Sequence, residues 1–189
     1  MRVWLASKSA RRAEMMAQIF PNLTSEGINS VDETSRASDV SGQVLEICQK
    51  KAAAVSDNGY DLIVVSDTML QDPDVDELAI GKPNDAIEAA AMLHRLSGRR
   101  HRVWSATGIW HKSKWEFHLN EAIVEIDSLS DEVLIELILS NSWVGKAGGY
   151  DLAGQMKHYA RLVEGDEATV LGLAGDAMER LVQLSDYEV

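Results

Sequence analysis

Val3-Trp4-Leu5-Ala6-Ser7-Lys8-Ser9-Ala10-Arg11-Arg12, at residues 3 to 12, decides how the rest of the chain is read. Four apolar residues give way to two hydroxyls around a lysine. The segment ARRAEMMAQIF (10 to 20) then places Ala13, Met16, Ala17 and Phe20 at helical spacing. This pattern predicts a strand, a tight turn and a helix. Ser9 can cap that helix by accepting a bond from a free backbone N–H two or three residues on, and Pro21 marks its end.

Working outward, a second helix is expected to start near Ser41, with Val44, Ile47, Cys48 and Val55 at helical spacing and Asn58-Gly59 as its stop. Leu62-Ile63-Val64-Val65, bounded by Asp61 and Asp67, predicts a strand buried on both faces. A third helix fits Asn84 to Ser97, capped by Asn84 and stopped by Gly98. Residues 102 to 110 and 115 to 126 alternate and are rich in Val, Ile, Thr, Trp and Phe, as in a long hairpin. A helix at Ser130 to Leu139 follows, then a glycine-rich loop at 145 to 154. A second hairpin is expected from Tyr159 to Val163 and Thr169 to Leu173 around Glu164-Gly165-Asp166, and a last helix at Asp176 to Leu184. Strands and helices interleave without a fixed period. The expectation is one α/β domain over residues 1 to 189 with a mixed sheet, and no internal repeat or linker.

Composition excludes several classes. Hydrophobic residues make up 46% and charged residues 25%, as in ordinary globular chains rather than disordered ones. No apolar run reaches the ~18 residues of a bilayer crossing, and the N-terminus has too little apolar length for a signal peptide, so a cytoplasmic protein is expected. Cys48 is the single cysteine, which rules out an internal disulfide and a thiolate zinc cluster. A net charge of −12 disfavours nucleic acid polymers and anionic membranes. Residues 1 to 51 nonetheless carry seven Lys/Arg against six Asp/Glu, so basic charge is gathered early. An acidic protein with a local basic cluster suits a small anionic ligand.

There is no G-x-G-x-x-G after the first strand, no P-loop, no G-x-S-x-G, and no zinc spacing among the five histidines. What remains is the first turn. Ser7, Lys8, Ser9, Arg11 and Arg12 stand where free N–H groups, a positive dipole end and guanidinium forks could receive phosphate, although a capped helix with solvated arginines would carry the same residues. Asp67, at the end of the apolar strand and followed by Thr68, could hold a hard cation or accept a proton from water, or could simply be a turn residue. Glu33 in Val31-Asp32-Glu33 is a second hard-metal candidate, and Lys51 and Lys82 (in Gly81-Lys82-Pro83) read singly as surface lysines.

Taken in order, LASKSARR (5 to 12), VDE (31 to 33), KKA (50 to 52), SDT (66 to 68), GKP (81 to 83), MLHRLSGRRHRV (92 to 103), GKAGGY (145 to 150) and VLGL (170 to 173) resemble the Maf proteins, nucleoside triphosphate pyrophosphatases first named for septum-formation inhibition. The resemblance spans nearly the whole chain. It implies an elongated α/β fold with a central mixed sheet flanked by helices around a deep cleft, similar to the inosine triphosphate pyrophosphatase fold and often in homodimers. It also implies a divalent metal (Mg²⁺ or Mn²⁺) and conversion of a nucleoside triphosphate, pyrimidine or modified, into monophosphate and pyrophosphate. Asp67 matches the proposed general base, Glu33 an acidic residue of the metal and water site, and Ser7, Arg11, Arg12, Lys51 and Lys82 the phosphate surroundings. Arg11 and Thr68 match positions that separate the substrate subfamilies.

The sequence departs from the family at Ala10, where Pro is usual, at Ser66 before the aspartate, and at Ala174. At Ala153 the pyrimidine-preferring subfamily has a glutamine, so weaker dTTP and UTP preference is expected, unless an extended segment lets Gln155 supply the amide from the same face. The alternatives are a non-catalytic nucleotide-binding regulator of cell division acting through a protein partner, which would not need both an acid pair and the lysines, and a polynucleotide binder using Arg95, Arg99, Arg100 and Arg102. The net charge opposes the second, and those arginines suit a helix C-terminus.

Overall fold

Strand β1 (Val3–Leu5) is buried throughout and lies between two parallel neighbours, β2 (Thr24–Ser25) and β3 (Leu62–Gln71). The computed structural model describes residues 1–29, 31–56 and 59–186. Beyond β3 the sheet turns antiparallel. Strand β3 pairs with β4 (Ala79–Ile80) and with β5 (Arg100–His111), β5 with β6 (Lys114–Ile126), and β6 with β7 (Ala160–Glu164). Among the described residues these seven strands form one mixed sheet in the order β2-β1-β3-β5-β6-β7, with β4 on the side of β3. The β5–β6 turn puts Lys112 and Ser113 at φ 48° and 65°, the two-residue geometry whose twist matches that of the strands.

Among the described residues six α-helices cover the sheet: α1 (Ala10–Ala17), α2 (Val40–Ala53), α3 (Ala86–Leu96), α4 (Asp131–Leu139), α5 (Glu167–Leu171) and α6 (Gly175–Asp186). The alternation of β3 decides which helix meets which face. Leu62 and Val64 pack with Met16 and Phe20 after the turn of α1, and with Ala177, Leu181 and Leu184 of α6. Ile63 and Val65 pack with Val44, Cys48 and Ala52 of α2 on the other side. Both faces are buried, as the unbroken apolar run predicted. A third cluster joins Leu93 and Leu96 of α3 to Val103, Val124, Ile126 and Leu137.

Four differences from the sequence reading bear on how the elements pack. Helix α2 is capped at Asp39 and ends at Ala53, leaving Val55 outside it; of the expected stop, Asn58 lies outside the described residues. The cap of α3 is Asp85, whose carboxylate accepts from Glu88 N at 2.8 Å, while Glu88 reaches back to the N–H of Asn84 at 2.9 Å. Strand β3 runs six residues past Val65, to Gln71, because the ladder to β5 continues without a break through Leu70 opposite Val103. Residues 169 to 173 are not a strand: Glu167–Leu171 is helical and closes at Gly172 with φ 117°. A five-residue apolar run has no readable period, and the signals that mattered were Asp166 before it and the left-handed glycine after it.

One buried pair sets an acid limit on the fold. His101 of β5 is 3% exposed, its Nε2 lies 2.8 Å from the Tyr150 hydroxyl, and its Nδ1 has no partner among the described residues. Burial pushes the imidazole down from 6.5 to about 4. The unfolded chain therefore takes up a proton between those values that the native protein refuses. Stability is expected to fall as pH drops from about 6.5 to about 4, by up to ~1.4 kcal/mol per pH unit. Denaturant titrations across that range should give a flatter profile for His101→Phe, even though that variant starts less stable. Parallel profiles would show that His101 does not carry the acid sensitivity.

Candidate active site

The site forms because β1 is shorter than β3. Strand β1 ends at Leu5 opposite Val64, and the chain then turns, with Ala6 N donating to Val64 O and Ser7 N to Leu5 O, both at 2.8 Å. Ser66 and Asp67 are thus left beside the turn that leads into α1. Asp67 lies in mid-strand, not at a strand end as its sequence position suggested; the crevice opens where its parallel neighbour stops. The pleat puts Asp67 on the same side as Ile63 and Val65, facing α2. There Lys51 Nζ stands 2.7 Å from Asp67 Oδ1 and 3.0 Å from Glu33 Oε1. Burial alone would raise the Glu33 carboxyl, but the Lys51 hydrogen bond and charge, with Lys82 and Arg12, outweigh it and hold the group below its usual range. The preceding residue of α2, Lys50, grips the same loop through Asp32 Oδ2 at 3.1 Å and Thr34 O at 2.7 Å.

The turn itself is closely tied. Ser9 caps α1 by accepting from Arg12 N at 3.5 Å, and Ser7 Oγ accepts from Ser9 N at 3.2 Å. Among the described residues the N–H groups of Ala10 and Arg11 take no protein acceptor, so the helix start keeps donors for an anion. Arg11 and Arg12 diverge sharply. Arg12 donates from Nε to Gly172 O at 2.7 Å, from Nη1 to Ser66 O at 3.1 Å and Ser7 Oγ at 3.3 Å, and from Nη2 to Thr68 Oγ1 at 3.0 Å. Four of its five N–H groups are spent inside the protein, and burial pulls its guanidinium below its usual pKa. The Arg11 side chain makes one hydrogen bond among the described residues, from Nη1 to Asp151 Oδ1.

A cleft of about 660 Å³ opens over this arrangement and is lined by Ser7, Lys8, Arg11, Arg12, Glu33, Lys51, Ser66, Lys82 and Lys146. Six of these are cations. The structure therefore gathers on one cleft Ser7, both arginines, Lys51, Lys82 and Glu33, with Asp67 directly behind Lys51. Thr68 is turned the other way, its hydroxyl 2.8 Å from Ser105 Oγ and bonded to Arg12. Ala153 borders a different cavity of about 460 Å³, with Glu136, Gln155 and His158. Gln155 begins a 3-10 turn (Gln155–His158), so the extended route to replacing the missing amide is not available.

The sequence placed Lys8 in the anion-binding turn, where the cleft has it, but Lys146 was missed as a cleft residue. A signal for Lys146 existed, since Gly145-Lys146 repeats the glycine-lysine pair of Gly81-Lys82. The two loops are joined by Gly148 N donating to Gly81 O at 2.9 Å, and a Cβ at Gly148 (φ 70°) would stand 2.3 Å from Leu70 Cδ2. Among the described residues no group of three or more His, Cys, Asp or Glu is placed to hold a metal. Glu33 and Asp67 still converge on one point, the Lys51 ammonium. Two hard carboxylate oxygens fit Mg²⁺ or Mn²⁺ where phosphate oxygens and water complete the shell.

The sequence from residue 2 to 184 matches the family model described as Maf-like protein. It is 31% identical over 181 residues to a dTTP/UTP pyrophosphatase of Pyrococcus abyssi, covering 95% of this chain and 94% of the relative. A protein of the same description from Bacillus cereus is 30% identical over 192 residues, covering 100% and 97%. Among solved structures, a HAM1 protein from Coxiella burnetii superposes with a TM-score of 0.56 at 15% identity over 99% of both chains, a likeness of fold. No helix among the described residues is long and apolar enough to cross a membrane.

Proposed function

The chain belongs to the Maf-like protein family, and on that footing we propose that it is a nucleoside triphosphate pyrophosphatase, releasing pyrophosphate and a nucleoside monophosphate. The observation that carries the reading is the cleft in which Lys8, Arg11, Lys82 and Lys146 stand beside the Asp67–Lys51–Glu33 cluster. The cations and the free N–H groups of the α1 start bind and orient the phosphate chain. Asp67 accepts a proton from, or aligns, the water that attacks the α-phosphorus, and the bond to the bridging oxygen breaks with pyrophosphate leaving. Glu33 and Asp67 would hold a divalent cation, Mg²⁺ or Mn²⁺, which when bound offsets phosphate charge. Lys51 keeps the two carboxylates side by side. Arg12 supports the turn from behind.

For the base, dTTP and UTP are the first candidates, because the relatives in Pyrococcus abyssi and Bacillus cereus are named for them. Arg11 and Thr68 are the specificity positions proposed here, Thr68 acting through its bond to Arg12, whereas Ala153 borders a different cavity and is given no part in reading the base. A homodimer in the cytoplasm is the form this reading favours. The deciding experiment measures pyrophosphate release from a panel of common and modified nucleoside triphosphates with Mg²⁺, Mn²⁺ and EDTA. Metal-dependent release with a graded pyrimidine preference is expected. Nucleotide binding without release would instead favour the division regulator.

A further inference from the structure

Asp151 stands between two cleft cations that come from distant parts of the chain. Its Oδ1 accepts from Arg11 Nη1 at 3.3 Å and from the backbone N–H of Ala153 at 3.2 Å, and its Oδ2 lies 3.6 Å from Lys146 Nζ. Arg11 and Lys146 line the cleft, and Asp151 approaches them from outside its lining. Neither contact is a bidentate fork. The side chains of Arg11, Lys146 and Asp151 are 25%, 26% and 18% exposed, so water weakens both pairs. Neither cation has another carboxylate within ion-pair distance among the described residues. A fixed negative charge therefore sits behind two of the positive charges that a phosphate chain must engage, and it is held there by its own backbone bond to Ala153 whether or not the cations stay with it.

We propose that Asp151 is a positioning residue that competes with bound polyphosphate for Arg11 and Lys146 and so limits how tightly the cleft holds pyrophosphate. This rests on reading the cleft as a phosphate site. The weak pairs yield to a polyphosphate, and Asp151 recaptures both cations as it leaves. A residue that only supported the loop would, on losing its charge, leave pyrophosphate affinity unchanged or weaken it. A competing residue would do the opposite.

The test is calorimetric titration of the full chain with inorganic pyrophosphate at low and high salt. Asp151→Asn keeps an oxygen for the Ala153 N–H but removes the charge. It is expected to bind pyrophosphate about 5-fold more tightly at low salt, on the scale of two partly exposed ion pairs, with the gain fading at high salt. Asp151→Glu, which restores the charge, should return affinity towards that of the parent protein. Should Asp151→Asn fail to fold, Asp151→Ser, which also retains an oxygen acceptor, carries the same expectation. Equal or weaker binding by a folded, uncharged variant overturns this inference alone. No binding of pyrophosphate by the parent protein, together with no release from the nucleotide panel, overturns the functional reading as well.

Discussion

Asp67→Asn should lower kcat/KM for pyrophosphate release by about 10²-fold to 10⁴-fold, the usual worth of a positioned general base. The amide cannot take the proton, and it is a poorer ligand for a hard cation. The fold should survive the change. Lys51, which loses its 2.7 Å contact to the carboxylate, keeps Glu33 at 3.0 Å, so no cation is stranded. Steady-state kinetics of the folded variant, with circular dichroism as a control, provide the check. If the variant retained more than about a tenth of the parent kcat/KM, a loss of less than ~1.4 kcal/mol in transition-state stabilisation, Asp67 would not have the role assigned to it.

The second large effect concerns stability and separates two neighbouring arginines. Arg12→Lys should destabilise the protein by about 3 kcal/mol, because a lysine cannot reach Gly172 O, Ser66 O, Ser7 Oγ and Thr68 Oγ1 together. Two of these acceptors have other donors: Ser66 Oγ donates to Gly172 O at 2.7 Å, and Ser9 N donates to Ser7 Oγ at 3.2 Å. The cost therefore falls mainly on the Ser66 carbonyl and on the Thr68 hydroxyl, whose own proton goes to Ser105 Oγ because Ser105 donates to Thr169 O, with the loss of a planar fork packed across the turn. For a chain of this length that amounts to a melting temperature lower by about 6–12 °C. Arg11→Ala should do the reverse, melting within a degree or two of the parent while KM for the nucleotide rises. An Arg12→Lys variant that melted like the parent would show that these bonds carry no net stability. An Arg11→Ala variant with unchanged KM would remove Arg11 from the phosphate site.

That contrast marks where the sequence could be read and where it could not. The strand, turn and helix of residues 3 to 20 were legible because apolar spacing, a capping serine and a following proline agree with one another. Successive helix residues, however, point about 100° apart, and nothing local says which of Arg11 and Arg12 turns inward. Gly172, the partner that decides it, lies 160 residues away. The apolar run alone stops strand β3 before Asp67, because Asp67, Thr68 and Gln71 do not look like a buried strand; pairing with β5, which no local pattern reveals, carries it on to Gln71. Lys146 and Asp151 escaped notice for the same reason, since their meaning depends on a contact 140 residues away in sequence, between Arg11 and Asp151.

Consecutive lysines on α2 hold consecutive acids of the loop that carries Glu33: Lys50 takes Asp32 and Lys51 takes Glu33. The two attachments are independent fastenings. Because Lys50 also holds the Thr34 carbonyl, the loop can stay moored while the Glu33 carboxylate, 60% exposed, lets go of Lys51 and takes another cation. The entropy of bringing that loop to α2 is met at the Lys50 anchorage, away from the chemistry. Glu33 is thereby delivered to Asp67 at the high effective concentration of a tethered partner, free to exchange what it binds without the segment having to find its place again.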